Sequence, residues 1–172
     1  MRTKPVRAVF TPRGVRAARR PAAPEATAGR NDVKSKGTIF LVDDDEALRR
    51  ATQRLLQACG FQVRSFASAE AFLRAFDPEA PGCLLLDLRM GGLSGLELQQ
   101  LLLDRGSATP IVFFTGHADD AAREHALEKG AVAFLKKPVR EESLIEALEL
   151  ALAKDAGERD DGRDAASLHA AN

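Results

Sequence analysis

Two acidic groups, one lysine and one threonine each follow a short apolar run in this chain of 172 residues. Asp43 and Asp44 come after Thr38-Ile39-Phe40-Leu41-Val42, and Asp87 after Cys83-Leu84-Leu85-Leu86. Thr115 closes the run from Ile111, and Lys137 stands just past Val132 to Leu135. If those runs are neighbouring strands, the three carboxylates meet at one sheet edge and repel one another unless a cation sits among them. Oxygen donors alone suit Mg²⁺, which keeps several waters and accepts a phosphate oxygen as a further ligand. Lys137 adds a fixed ammonium and Thr115 a hydroxyl donor. A carboxylate nucleophile, a hard cation, an ammonium and a hydroxyl are the parts needed for phosphoryl transfer to an aspartate.

Positioning these groups requires a regular alternation of strand and helix, and residues 37–154 show it. The β-branched run at 38–42 reads as a fully buried strand. Leu48, Ala51, Leu55, Leu56 and Cys59 then fall on one helical face, which Gly60 ends. Phe61 to Phe66 reads as a second strand, and Ser68 as the N-cap of a helix presenting Ala69, Phe72, Leu73 and Phe76. Pro81-Gly82 turns into the third strand, 83–86, and the Gly91-Gly92 loop leads to a helix with Leu98, Leu101 and Leu102 on one side. A fourth strand spans 111–115. The helix at about 119–129 has a weak inner face of Ala122, Ala126 and Leu127. A fifth strand spans 132–135, and Leu144, Ile145, Leu148 and Leu152 line a last helix. Five β–α units with buried strands imply an α/β fold, a doubly wound parallel sheet covered on both faces. In such folds the site lies at the carboxyl ends of the strands, beside the switch point in strand order.

The formal charge of zero is a cancellation. Residues 1–36 carry ten Lys/Arg against Glu25 and Asp32, a net of +8; residues 155–172 carry two Arg against five acidic groups, a net of −3. Neither segment has the apolar content to offset its ordering entropy, so both are expected to be disordered tails on one domain spanning 37–154. The basic segment has a single aromatic, Phe10, and no apolar stripe that would mark a nucleic-acid or membrane-binding element. The longest apolar run, Ala131 to Leu135, is too short to span a membrane. Cys59 and Cys83 read as reduced thiols of a cytosolic protein rather than a disulfide scaffold or a zinc site.

Four motifs in order, Leu41-Val42-Asp43-Asp44, Leu85-Leu86-Asp87-Leu88-Arg89-Met90, Phe114-Thr115-Gly116-His117 and Lys136-Lys137-Pro138, make the chain resemble a response regulator receiver domain of the CheY-like superfamily. The Thr115-Gly116-His117 run and Gly130 to Leu135 are most similar to receivers of the FixJ type. The resemblance implies a flavodoxin-like (βα)5 fold with strand order 2-1-3-4-5. It implies that Asp87 accepts a phosphoryl group from a sensor histidine kinase or phosphotransfer protein. Asp44 and Asp87 would bind Mg²⁺ directly, Asp43 largely through water, and the Arg89 backbone carbonyl would complete the set. Lys137 would pair with Asp87, with a cis peptide bond to Pro138. Thr115 and Phe134 would act as a packing switch read by a downstream protein target, in the bacterial cytoplasm. A phosphorylation-dependent homodimer is compatible with that scheme. Nothing apolar enough to fold follows the last helix, so a stand-alone regulator without a dedicated DNA-binding domain is expected.

Two departures stand out. Such receivers usually carry proline four residues after the acceptor, where this chain has Gly91, followed by Gly92; the pair should loosen that loop. Phe134 has no hydroxyl to hold an outward position. A different class also fits part of the pattern: Asp43-x-Asp45 after a buried strand resembles the first motif of haloacid-dehalogenase-type phosphatases, with Asp43 as nucleophile and Asp45 as general acid. Ala47 departs from that motif, and Asp87 would have no role in it. A receiver-like docking module that is never phosphorylated is a third reading. Taken singly, Asp45 and Glu46 suit an N-cap and first helical turn, and His117 and His125 suit surface loops.

Overall fold

In the computed structural model, residues 35–117 and 119–169 are described, with side chains as far as residue 157. The basic segment predicted for 1–36 lies outside the described residues except for Ser35 and Lys36. The elements alternate as expected: β1 (Thr38–Val42), α1 (Glu46–Ala58), β2 (Gln62–Phe66), α2 (Ala69–Ala75), β3 (Cys83–Leu86), α3 (Gly95–Asp104), β4 (Ile111–Thr115), α4 (Asp120–Glu128), β5 (Ala133–Lys136) and α5 (Glu141–His169). Helix starts are set by short polar side chains. Asp45, Ser68, Ser94 and Asp119 each accept a backbone N–H from the first turn of their helix, and Ser94 with Glu97 forms a complete capping box.

The strands form one parallel sheet in the order β2-β1-β3-β4-β5. Buried side chains alternate between its faces. Phe40, Val42, Leu84, Leu86, Ile111 and Phe113 meet Phe72, Leu98, Leu102 and Ala126 from α2, α3 and α4. Ile39, Leu41, Cys83, Leu85 and Val112 meet Leu56 of α1 and Leu144, Leu148 and Ala151 of α5 on the other face. Burying a side chain such as Leu85 or Leu148 stabilises by roughly 1.5–3 kcal/mol. The three central strands β1, β3 and β4 are accordingly apolar on both faces, whereas the edge strand β2 carries the exposed Gln62, Arg64 and Ser65. Phe72 anchors the first layer, its ring 6.0 Å from Phe40, 5.5 Å from Phe66 and 5.1 Å from Phe76. On the second, complete burial pushes the Cys83 thiol up to about 12.

Sheet register places the site. Val42 pairs with Leu86, and the Asp87 N–H donates to the Val42 carbonyl at 2.9 Å, so the residues leaving β1 and β3 are neighbours. Leu86 pairs with Phe113, and the Lys137 N–H donates to the Thr115 carbonyl at 2.7 Å. From β1 the chain winds outward to β2, and from β3 to β4 on the other side, so their carboxyl ends border the crevice where the winding reverses.

One expectation is overturned. The tail predicted from residue 155 is instead a continuation of α5 to His169; residues 170–172 lie outside the described residues. Asp155 is buried, and its carboxylate accepts the Gly82 N–H at 3.0 Å, so the packed face of α5 extends one turn past Ala151. From there the helix is already nucleated, and adding residues to an existing helix costs far less than starting one. Low apolar content showed that the segment has no core of its own, and missed that it inherits a nucleus.

Candidate functional site

Asp43, Asp44 and Asp87 each bring one carboxylate oxygen into a group lying within 4.8 Å of one another. Asp43 is buried at the end of β1, where its Oδ1 accepts the Asp45 N–H at 2.9 Å. The Arg49 guanidinium donates to the Asp43 carbonyl at 2.7 Å, holding the start of α1 to the strand. Asp44 is exposed and takes the Gly91 N–H on Oδ2 at 2.9 Å. Asp87 is different: its Oδ1 is buried and has no hydrogen-bond partner among the described residues. A buried carboxylate oxygen left without a donor costs a large part of its hydration.

The Lys137 ammonium closes the cluster. It lies 2.7 Å from Asp43 Oδ2 and 4.0 Å from Asp87 Oδ2, and 4.7 Å from the centre of the Phe114 ring. Lys137 thus lies at ion-pair distance from Asp87, the partner expected for it, and makes its shorter, direct bond to Asp43, the more deeply buried charge, which has more to gain from a partner. The Lys137–Pro138 peptide bond is cis. Asp44, Asp87, Arg89, His117 and Lys137 line a cleft of about 380 Å³ that is open to solvent.

The donor set fits a hard divalent cation. It is all oxygen, three carboxylates against one ammonium leave an excess of negative charge, and Asp87 Oδ1 lacks a donor. The other predicted residues lie where the sheet brings them. Thr115 is buried at the end of β4 and its hydroxyl is taken up locally, within 3.3 Å of both the His117 N–H and its carbonyl. Phe134 is half-buried on β5, stacked on Phe113 at 5.5 Å.

The arrangement does not suit the hydrolase alternative. Asp43 has both oxygens engaged, and Asp45 turns away to cap α1 through the Leu48 N–H. Sequence reasoning missed Glu70. Its carboxylate accepts the Leu93 N–H at 3.0 Å, so the loop expected to be loose is tied down at Gly91 and at Leu93. The available signal was the acidic residue in the first turn of α2, which reads as favourable for the helix dipole and hides its second role.

A doubly wound α/β domain with an acidic cation pocket at the carboxyl edge of β1 and β3, facing a lysine after β5, is the class that fold and site define. Residues 39–149 match the family model described as Response regulator receiver domain, and the chain belongs to that family. It is 37% identical over 140 residues to Nodulation protein W of Bradyrhizobium diazoefficiens, covering 81% of this chain and 62% of that one. It is 43% identical over 122 residues to Response regulator protein TmoT of Ectopseudomonas mendocina, covering 71% and 54%. The crystal structure of FixJ-N superposes with a TM-score of 0.63 at 41% identity, covering 67% of this chain and 93% of that one. Response regulator StyR gives a TM-score of 0.74, also at 41%, covering 78% and 68%. The chain spans between half and two thirds of the length of these curated relatives. Among the described residues no helix is long and apolar enough to cross a membrane.

Proposed function

We propose that this chain receives a phosphoryl group on Asp87 from the phosphohistidine of a sensor histidine kinase or phosphotransfer protein, in a Mg²⁺-dependent reaction, and passes the signal to a partner protein in the cytoplasm. The observation that carries the reading is the buried, partnerless Oδ1 of Asp87 beside two further carboxylates and an ammonium 4.0 Å from its other oxygen. Asp43, Asp44, Asp87 and the Arg89 backbone carbonyl would hold the cation, whose chemistry is to neutralise charge between the acceptor and the incoming phosphoryl oxygens. An Asp87 oxygen attacks phosphorus in line, the P–N bond breaks, and the imidazole leaves with its electron pair. Lys137 stands within reach of the new phosphoryl oxygens. Thr115 gives up its local bonds to donate to them, and Phe134 repacks against the space it leaves.

Intact mass after incubation with acetyl phosphate and Mg²⁺ tests this. A single phosphoryl adduct, absent in Asp87→Asn and without added cation, is the expected result. No adduct in the unaltered chain would leave a docking module. Steady phosphoester turnover lost in Asp43→Asn would bring back the hydrolase.

A further inference from the structure

Residue 91 decides something that a family pattern does not show. Among the described residues the Asp44 carboxylate takes one hydrogen bond, from the Gly91 N–H at 2.9 Å. A proline at that position has no N–H to give. Two residues on, the Leu93 N–H donates to Glu70 Oε1 at 3.0 Å. Gly92, between them, has φ of +88°, and a Cβ there would come within 2.8 Å of Glu70 Oε1. Gly91 itself has room: a Cβ would lie 3.9 Å from Asp44 Oδ2, an ordinary contact. The loop after β3 is therefore strung between two carboxylates, one in the acidic cluster and one at the start of α2, before the Ser94–Glu97 capping box fixes α3. The bond from Leu93 also holds the Glu70 carboxyl below its ordinary value.

We propose that the Gly91 amide, with Glu70 acting through the loop, positions Asp44 for the cation. The inference rests on the cation-site reading above. Asp44 is the exposed member of the cluster, so without a donor its carboxylate is free to rotate into water. A hydrogen bond to a ligating carboxylate selects one rotamer and leaves its second oxygen directed at the ion, and losing such a partner commonly weakens metal affinity by about 10–100-fold. Glu70 fixes the height of the loop and hence where the Gly91 N–H points. It is a positioning residue.

The experiment uses Mn²⁺ as the probe, titrated into the unphosphorylated full chain and read by electron paramagnetic resonance of the free ion. Gly91→Pro, which removes the N–H, is expected to weaken Mn²⁺ binding about tenfold. Gly91→Ala keeps the donor and retains most of the affinity. Glu70→Ala loses roughly threefold, because it acts at one remove, and Glu70→Gln, whose amide oxygen still accepts from Leu93, recovers it. The Gly91 amide proton resonance in metal-free protein is a second readout and moves upfield in both Asp44→Ala and Glu70→Ala. If Gly91→Pro does not fold, the Glu70 pair and the amide resonance decide. Equal or tighter Mn²⁺ binding in folded Gly91→Pro overturns the proposal. An unmoved affinity and amide resonance in Glu70→Ala does the same. If the unaltered chain itself fails to bind Mn²⁺ at millimolar concentration, both this inference and the cation reading fall; if it binds and the variants match it, this inference falls alone.

Discussion

Replacing Asp87 by asparagine should stabilise the cation-free protein. The three carboxylate oxygens lie within 4.8 Å of one another, and at an effective dielectric constant of about 20 each like pair at that separation costs about 3–4 kcal/mol. Asp87 enters two such pairs. Against them stands Lys137 at 4.0 Å, an attraction of about 4 kcal/mol on the same scale. The balance is repulsive, and the partnerless Oδ1 adds a desolvation cost that is smaller for the neutral amide. Because Asp44 is exposed, solvent screens part of the repulsion, leaving an expected gain of about 1–2 kcal/mol. With no Trp or Tyr in the chain, far-UV circular dichroism in urea is the suitable assay, with chelator and then with Mg²⁺. The unaltered chain should gain stability from Mg²⁺ by mass action, and Asp87→Asn should gain much less. An Asp87→Asn midpoint at or below that of the unaltered chain in chelator, or equal Mg²⁺ stabilisation of both, would refute the electrostatic reasoning.

The same logic gives Lys137→Met the opposite sign: it leaves the Asp43 carboxylate, 3% exposed, without its counter-ion and should cost about 3 kcal/mol in urea, part of which added Mg²⁺ restores. Phe72→Ala removes a ring 1% exposed from between Phe40, Phe66 and Phe76, and a loss of about 3–5 kcal/mol is expected in the same assay. Cys83, with its thiol at about 12, should stay unreactive toward a disulfide reagent at mildly alkaline pH until the protein unfolds, as stopped-flow thiol release in urea would show. Glu97 is held below its ordinary value of 4.5, chiefly by the Ser94 hydroxyl. A lowered folded value means that the stability it contributes is present above 4.5 and is lost as pH falls through the folded value, so the acid limb of a urea-midpoint profile should flatten in Glu97→Gln.

Most of the site was legible because the central parallel strands are apolar on both faces and end in polar residues at the crevice. Thr38 to Val42 and Cys83 to Leu86 announce both their burial and their ends, so Asp43 and Asp87 could be placed without knowing the register. The pairing inside the cluster was not legible. Whether Lys137 lies nearer to Asp43 or to Asp87 depends on relative burial within a few ångströms, which spacing along the chain does not encode. The Gly91-Gly92 pair was read as loosening the loop because backbone freedom belongs to the residue, whereas the bonds that restrain it come from Asp44 and Glu70 on other elements. The length of α5 escaped for a related reason: composition judges a segment by itself, and Asp155 is held by Gly82, distant in sequence.

The charges and bond lengths also indicate where a response to phosphorylation would begin. Three carboxylates and one ammonium leave two negative charges in the cluster, which one divalent cation cancels. On the proposed reading, turning the Asp87 carboxylate into an acyl phosphate adds about one more negative charge at neutral pH, and nearby donors must turn toward it. Two are at hand, and they are held unequally. Lys137 is bound to Asp43 at 2.7 Å, a short charge-assisted bond, whereas the Thr115 hydroxyl is in long contacts of 3.3 Å within its own turn. Thr115 therefore costs less to redirect. The chain next to it leads into α4, which buries only Ala126, where α3 buries four residues, and whose last turn is held by a bond from the Gln99 amide to the Ala126 carbonyl. The weakest donor contact thus adjoins the least secured helix, so the added charge would be relieved by shifting the β4–α4 segment before it disturbs the strands that hold the acceptor.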